Sequence, residues 1–157
     1  CKDISEINNH YSLKKYILLF PFCSPRLTIK KWPYYNDLTK LIGDKFGDEY
    51  KVVTAPGPSE VNDAKQLKAL PLLDNGKALD IFQLSSLIKA SSFVIANDTG
   101  PAHIAAHIGA KGLTLFGKHT TAYKVNIERE NFKAIQVNDL NNLSAEKVFE
   151  RLSNSLS

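Results

Sequence analysis

A chain of 157 residues, 43% of them hydrophobic, is long enough to bury one core and short for two domains, which sets aside disordered and low-complexity classes. Its 20 Lys+Arg against 16 Asp+Glu leave a net charge of +4, which suits an anionic small molecule or work near a membrane surface but forms no concentrated nucleic-acid stripe. Cys1 and Cys23 stand far apart in no CxxC or Cys/His pattern, so neither a disulfide framework nor a zinc site is encoded, and a reducing compartment fits.

No stretch approaches the roughly 20 apolar residues of a membrane span, and no signal segment opens the chain. Residues 1 to 15 are polar and begin with Cys1 rather than Met. They read as a linker or as the remnant of a missing amino-terminal domain. The N-x-[ST] triplets at Asn97 and Asn142 are common by chance and carry no weight without a secretory context.

In chain order, residues 16 to 20 (YILLF) form a continuous apolar run that enters a loop of Pro21, Phe22, Cys23, Ser24, Pro25 and Arg26, the pattern of a buried strand ending in a turn. Pro33 fits the first helical position, and Tyr35, Leu38, Leu41, Ile42 and Phe46 recur at helical spacing up to Gly47, a C-terminal stop. Residues 50 to 54 (YKVVT) open a second strand. The loop APGPSE follows, with Ser59 as N-cap and Val61, Ala64, Leu67 and Leu70 as one helical face. A third helix is expected over 79 to 88, a strand over 92 to 96, a short helix over 101 to 108 and a strand over 113 to 116. The last pair is a strand over 132 to 137 and a helix opened by Ser144 that carries Val148, Phe149 and Leu152 inward. Alternating strands and helices, with strands apolar throughout, predict an α/β fold over residues 16 to 157: a parallel sheet with helices on both faces.

In such a sheet ligands lie at the carboxyl ends of strands, where the free N–H groups of helix starts attract anions. The stretch NDTGPAH, residues 97 to 103, is such a corner. Gly100 admits close backbone approach, Pro101 belongs in the first helical turn, and Thr99 either caps the helix or holds a phosphate oxygen. A carboxylate at Asp98 would compete with phosphate for the helix's positive end. It is therefore directed to sugar hydroxyls, or else Asp98 and Thr99 merely satisfy the helix start; position alone leaves both readings open. His103 and His107 stand one turn apart at zinc-helix spacing, yet Ile104 sits where HExxH requires glutamate, so no metal is expected; they read as core or hydrogen-bonded histidines, or His103, in the first turn, donates to a phosphate.

The loop SPRLTIKKWP brings Arg26, Lys30 and Lys31 over the same edge, as anion ligands or as a solvated basic loop. Glu60, after the second strand, is a helix-dipole partner or a hydroxyl ligand. No GxxxxGK[ST], GxGxxG or GxSxG occurs, so phosphate recognition has to come from scattered corners.

Taken together, KKWP at 30 to 33, GPSE at 57 to 60 and NDTGPAHIAAHIGAKGLTLFG at 97 to 117 resemble, in this order, the carboxyl-terminal half of the heptosyltransferases, glycosyltransferase family 9, over residues 16 to 152. The resemblance implies one Rossmann-like half of a GT-B glycosyltransferase. In that architecture the carboxyl-terminal domain binds a nucleotide-sugar donor, and the amino-terminal domain binds acceptor and carries the base. It further implies that Lys30 contacts the donor phosphates, Glu60 the ribose hydroxyls, and Asp98, Thr99, Gly100 and His103 the sugar and diphosphate, with Ser24 at a comparable loop position. No catalytic base is matched in this chain, and neither cofactor nor metal is expected. ADP-heptose is the default donor, and the acceptor is a lipid-linked saccharide of the lipopolysaccharide core, reached through the missing domain. The location implied is cytoplasmic, at the inner face of the bacterial inner membrane. Two stretches depart from the family pattern: FPFCSPRL has no glycine-containing turn, and KHTTAYKVNIER lacks a proline-rich continuation. Two other classes stay open: a non-catalytic nucleotide-binding module acting through a partner, and a nucleotide-sugar epimerase-like domain, which would need further acid/base residues.

Overall fold

Six strands, β1 (Tyr16–Phe20), β2 (Lys51–Thr54), β3 (Leu70–Pro71), β4 (Phe93–Asn97), β5 (Gly112–Phe116) and β6 (Phe132–Gln136), form one sheet in the order 3-2-1-4-5-6. The computed structural model describes residues 4–22, 31–97, 99–117 and 127–156. All five strand pairings are parallel, as the apolar runs predict. The helices are α1 (Ile4–His10), α2 (Tyr35–Phe46), α3 (Val61–Ala64), α4 (Ile81–Ala90), α5 (Gly100–Ile108) and α6 (Ala145–Leu156).

Alternation along each strand sends side chains to opposite faces, and both faces are covered. Ile17, Leu19, Ile95, Leu113 and Leu115 pack with Leu38 and Ile42 of α2 and with Val148 and Leu152 of α6. Leu18, Phe20, Val94, Ala96 and Phe116 pack on the other face with Leu87 and Ile88 of α4 and with Ala102 and Ala105 of α5. Strands read from sequence as buried throughout are therefore buried because helices lie on both sides. The opening residues, read as linker, carry α1, whose Ile7 is buried and whose Ile4 packs on the α4 and α5 face.

Several local expectations need correction. The first helix starts at Tyr35 rather than Pro33, with Pro33 and Tyr34 in the turn before it. After β2, the N-cap is Glu60 rather than Ser59, and the helix stops after one turn at Ala64. Leu70, placed on that helix's face, instead opens β3, a two-residue edge strand whose Pro71 has no N–H to extend it. The next helix is displaced by two residues: Asp80 and Gln83 form a reciprocal capping box, Asp80 Oδ1 accepting from the Gln83 N–H at 2.8 Å and Gln83 Oε1 from the Asp80 N–H at 2.9 Å. Between β3 and this box, Asn75 (φ 53°) and Gly76 (φ 80°) make a tight turn that the Asp74–Lys77 bridge closes. Ser144 caps α6 as expected, its Oγ accepting from the Lys147 N–H at 3.2 Å. Gly109, at φ 83°, ends α5, and the Ala110 N–H returns to the Ala105 carbonyl at 3.0 Å.

Tyr16, at the start of β1, is 2% exposed and donates its hydroxyl to the Leu87 carbonyl at 2.6 Å. Burial pushes its pKa from 10.0 up to about 12. The unfolded chain therefore gives up this proton near pH 10 while the folded chain keeps it, so stability falls as pH rises through the window from 10 to 12. Below pH 10 the contribution is complete. Urea midpoints followed by the fluorescence of the single tryptophan are expected to drop across that window, and the drop should shrink in Tyr16→Phe. Equal slopes for parent and variant would contradict this assignment.

Candidate functional site

The strand order reverses between β1 and β4, which lie side by side with Phe20 opposite Ala96. Chain connections leave the carboxyl ends of these two strands in opposite directions, opening a crevice there, the place where parallel α/β sheets receive ligands. The end of β2 borders it on the far side of β1.

At the end of β4, Thr99 is the N-cap of α5 in extended conformation but makes no side-chain cap. Its hydroxyl instead donates to the Asn97 carbonyl at 3.4 Å, so the expected alternative of a Thr99 cap is not realised. The Thr99 carbonyl takes the Ala102 N–H at 3.1 Å and the His103 N–H at 3.4 Å. Pro101 has no N–H to offer, and the Gly100 N–H has no partner among the described residues. A β-carbon built on Gly100 would meet no atom of the described residues within 4 Å, so among them the space beside this helix start is open. His103 is half-buried on the first turn of α5, and His107 is exposed one turn later. No group of three or more metal-capable side chains occurs among the described residues.

At the end of β2, Glu60 closes the GPSE turn twice. Its N–H donates to the Gly57 carbonyl at 2.9 Å, and its Oε1 accepts the Gly57 N–H at 2.8 Å. One carboxylate oxygen is thereby fixed, while Oε2 has no partner among the described residues. Thr99, Gly100 and His103 share the β4 corner, and Glu60 lies at the β2 corner, two strand positions away. That separation is about 10 Å at ordinary strand spacing. Ser24, Lys30 and Asp98, like Arg26, lie outside the described residues. Lys31, next to Lys30, is exposed.

Two groups carry this edge without having been assigned a role from sequence. Trp32, 1% exposed, donates its indole N–H to the Leu143 carbonyl at 2.8 Å, and Tyr34 donates its hydroxyl to the Asn141 carbonyl at 2.6 Å. Residues 32 to 34 are thus fastened to the turn before α6. Asn97 is wholly buried and bonded at both ends of its amide, to the Pro21 carbonyl and the Tyr35 hydroxyl, each at 2.9 Å. The available signal was an asparagine closing an otherwise apolar strand, FVIAN.

The strand order 3-2-1-4-5-6, with an open helix start and a carboxylate-bearing turn bordering the switch point, defines a Rossmann-like domain of the ligand-binding kind. The chain belongs to glycosyltransferase family 9 (heptosyltransferase), whose sequence model matches residues 2–152. Among solved structures, it is similar to a family 9 glycosyltransferase from Veillonella parvula (TM-score 0.78, 18% identity, 98% of this chain and 50% of that one). The ADP-heptose lipopolysaccharide heptosyltransferase II of Escherichia coli gives TM-score 0.75 and 22% identity, over 98% of this chain and 50% of that one. The E. coli heptosyltransferase WaaC with ADP gives TM-score 0.75 and 19% identity, over 90% and 44%. The chain therefore spans about half the length of these structures. No curated protein sequence matches it. No helix among the described residues is long and apolar enough to cross a membrane.

Proposed function

We propose that the chain is the donor-binding half of an inverting glycosyltransferase that transfers a sugar, by default heptose from ADP-heptose, to a lipopolysaccharide-core-type acceptor. The observation that carries this reading is the Thr99–Gly100 corner: in a family 9 chain it sits at the switch point of the sheet, and among the described residues the first N–H of α5 has no partner and the space beside Gly100 is open. Two of the solved relatives are described with ADP or as acting on ADP-heptose, which supports an adenosine diphosphate donor.

In this reading the α5 start and Thr99 receive the diphosphate together with Lys30, while Asp98 and His103 serve the sugar and its phosphate. Glu60 offers its second oxygen to the ribose hydroxyls. The spacing between the β2 and β4 corners suits a ligand laid across the end of β1 with ribose at one corner and diphosphate at the other. Ser24 adds a further contact by the family resemblance. An acceptor hydroxyl attacks the anomeric carbon, the bond to the diphosphate breaks, and the leaving nucleoside diphosphate gathers negative charge. Lysine and a helix start are suited to stabilise that charge. The base that takes the acceptor's proton would come from an amino-terminal domain of about 150 residues, for which residues 1 to 15 are the approach. The completed enzyme would work at the inner face of the bacterial inner membrane, where a lipid-linked acceptor is presented.

Calorimetric titration of the full-length protein tests this. ADP and ADP-heptose are expected to bind; Lys30→Ala should weaken both by about tenfold or more, the loss of one charge-assisted contact, whereas Asp98→Ala should weaken ADP-heptose and leave ADP unchanged or tighter. Glu60→Gln retains an oxygen to accept from Gly57, so the turn survives. Its expected signature is that the parent distinguishes ADP from 2′-deoxy-ADP more strongly than the variant does. Absence of nucleotide binding, parent-like ADP binding by Lys30→Ala, or parent-like ADP-heptose binding by Asp98→Ala overturns the reading.

A further inference from the structure

Asn97 poses a question of economy. It ends a strand of apolar residues and has no exposed surface, a place where leucine would pack without any polar group to satisfy. Instead its Nδ2 donates at 2.9 Å to the Pro21 carbonyl, just past the end of β1. Its Oδ1 accepts at 2.9 Å from the hydroxyl of Tyr35, the first residue of α2. Tyr35 meets the Trp32 ring edge-on with centroids 4.9 Å apart, and Trp32 is bonded in turn to Leu143. On the other side, the Asn97 carbonyl takes the Thr99 hydroxyl. One connected set of contacts thus joins the carboxyl end of β1, the start of α2, the turn before α6 and the corner that starts α5. Hydrogen bonds have directions that apolar contacts lack, so this set fixes the angle between the β1 and β4 corners as well as their separation.

We infer that Asn97, acting with Tyr35, is a positioning residue for diphosphate recognition: it holds the Thr99–Gly100 backbone in register with the exit of β1, so that both corners meet one ligand. This rests on the donor-site reading given above. Neither side chain has to touch the ligand. Removing the Tyr35 hydroxyl frees one end of the Asn97 amide and lets the β4 corner rotate. An apolar residue at position 97 releases Pro21 as well.

The test compares ADP binding, thermal midpoints and backbone hydrogen exchange in the full-length protein for Tyr35→Phe, Asn97→Leu and their combination. Leu152→Ala, wholly buried in α6 and outside this set of hydrogen bonds, is the destabilised control. Tyr35→Phe, the mild variant, is expected to weaken ADP about tenfold and to speed exchange at the Ala102 and His103 amides, which the Thr99 carbonyl holds. Leu152→Ala should lose as much thermal stability with neither effect. In the combination, the Tyr35 hydroxyl that loses its Asn97 acceptor in Asn97→Leu is gone, so stability should partly return while ADP affinity does not. If the parent binds ADP and both single variants bind it equally well with unchanged exchange at Ala102 and His103, the pair is a brace for the fold and the inference fails. If the parent binds no ADP, the donor-site reading fails first; parent-like exchange at those amides in Tyr35→Phe would then reject the coupling independently.

Discussion

Trp32→Ala is expected to cost about 3–5 kcal/mol of folding free energy, the range for emptying a large aromatic site in a core. The ring is 1% exposed, stands edge-on to Tyr35 with centroids 4.9 Å apart and to Tyr34 at 6.0 Å, and its N–H satisfies the Leu143 carbonyl. Removal leaves a void between α2 and the turn before α6 and strands that carbonyl. Against a total stability of about 5–15 kcal/mol, the variant approaches marginal folding. Trp32→Phe separates the two contributions: most of the packing stays, the hydrogen bond goes, and the loss should fall to about 1–3 kcal/mol. Because Trp32 is the single tryptophan, unfolding of both variants in urea has to be followed by circular dichroism. A loss below about 1 kcal/mol for Trp32→Ala would show that the segment is not fastened through this ring.

What the residue order revealed and what it concealed follow from the physics of each element. Runs such as YILLF and FVIAN announce strands covered on both faces, and their alternation with amphipathic helices is sufficient to imply the parallel sheet. β3 was hidden because two residues, one of them Pro71, carry no periodicity; its pairing to β2 is decided by the sheet edge. Leu67 and Leu70 continue the helical spacing of Val61 and Ala64, yet α3 ends after one turn, so burial of those leucines had mimicked a helix that tertiary packing did not extend. Asp80 and Gln83 are a capping box in plain sight, and reading them would have moved the start of α4 by two residues.

The site was legible as a set of corners but not as a connected structure. Gly100 and Pro101 mark the start of α5 from sequence because glycine and proline have few other reasons to adjoin at a helix start. The ties of Asn97 to Pro21 and of Trp32 to Leu143 run between residues 76 and 111 positions apart, which no local pattern encodes. Thr99 shows the converse. Threonine at an N-cap is a strong local expectation, but its hydroxyl turns back to Asn97, leaving the helix start uncapped by its own side chain.

That uncapped start allows a variant in which stability and binding move in opposite directions. Gly100→Asp places a carboxylate where a β-carbon meets no atom of the described residues within 4 Å, beside the N–H of the first helical residue, which has no partner among them. As a helix-terminus anion replacing a glycine, it is expected to raise stability by about 1 kcal/mol. The same carboxylate occupies the donor that a diphosphate would use and repels it, so ADP affinity in the full-length protein should fall by about 30-fold, equivalent to about 2 kcal/mol. Gly100→Asn has nearly the same shape without the charge and should lose only a few-fold. General damage to the fold cannot produce this pattern, because damage lowers stability and affinity together. Should Gly100→Asp gain stability and still bind ADP as tightly as the parent, the start of α5 is only a helix start, and the diphosphate has to be held by the loop after β1.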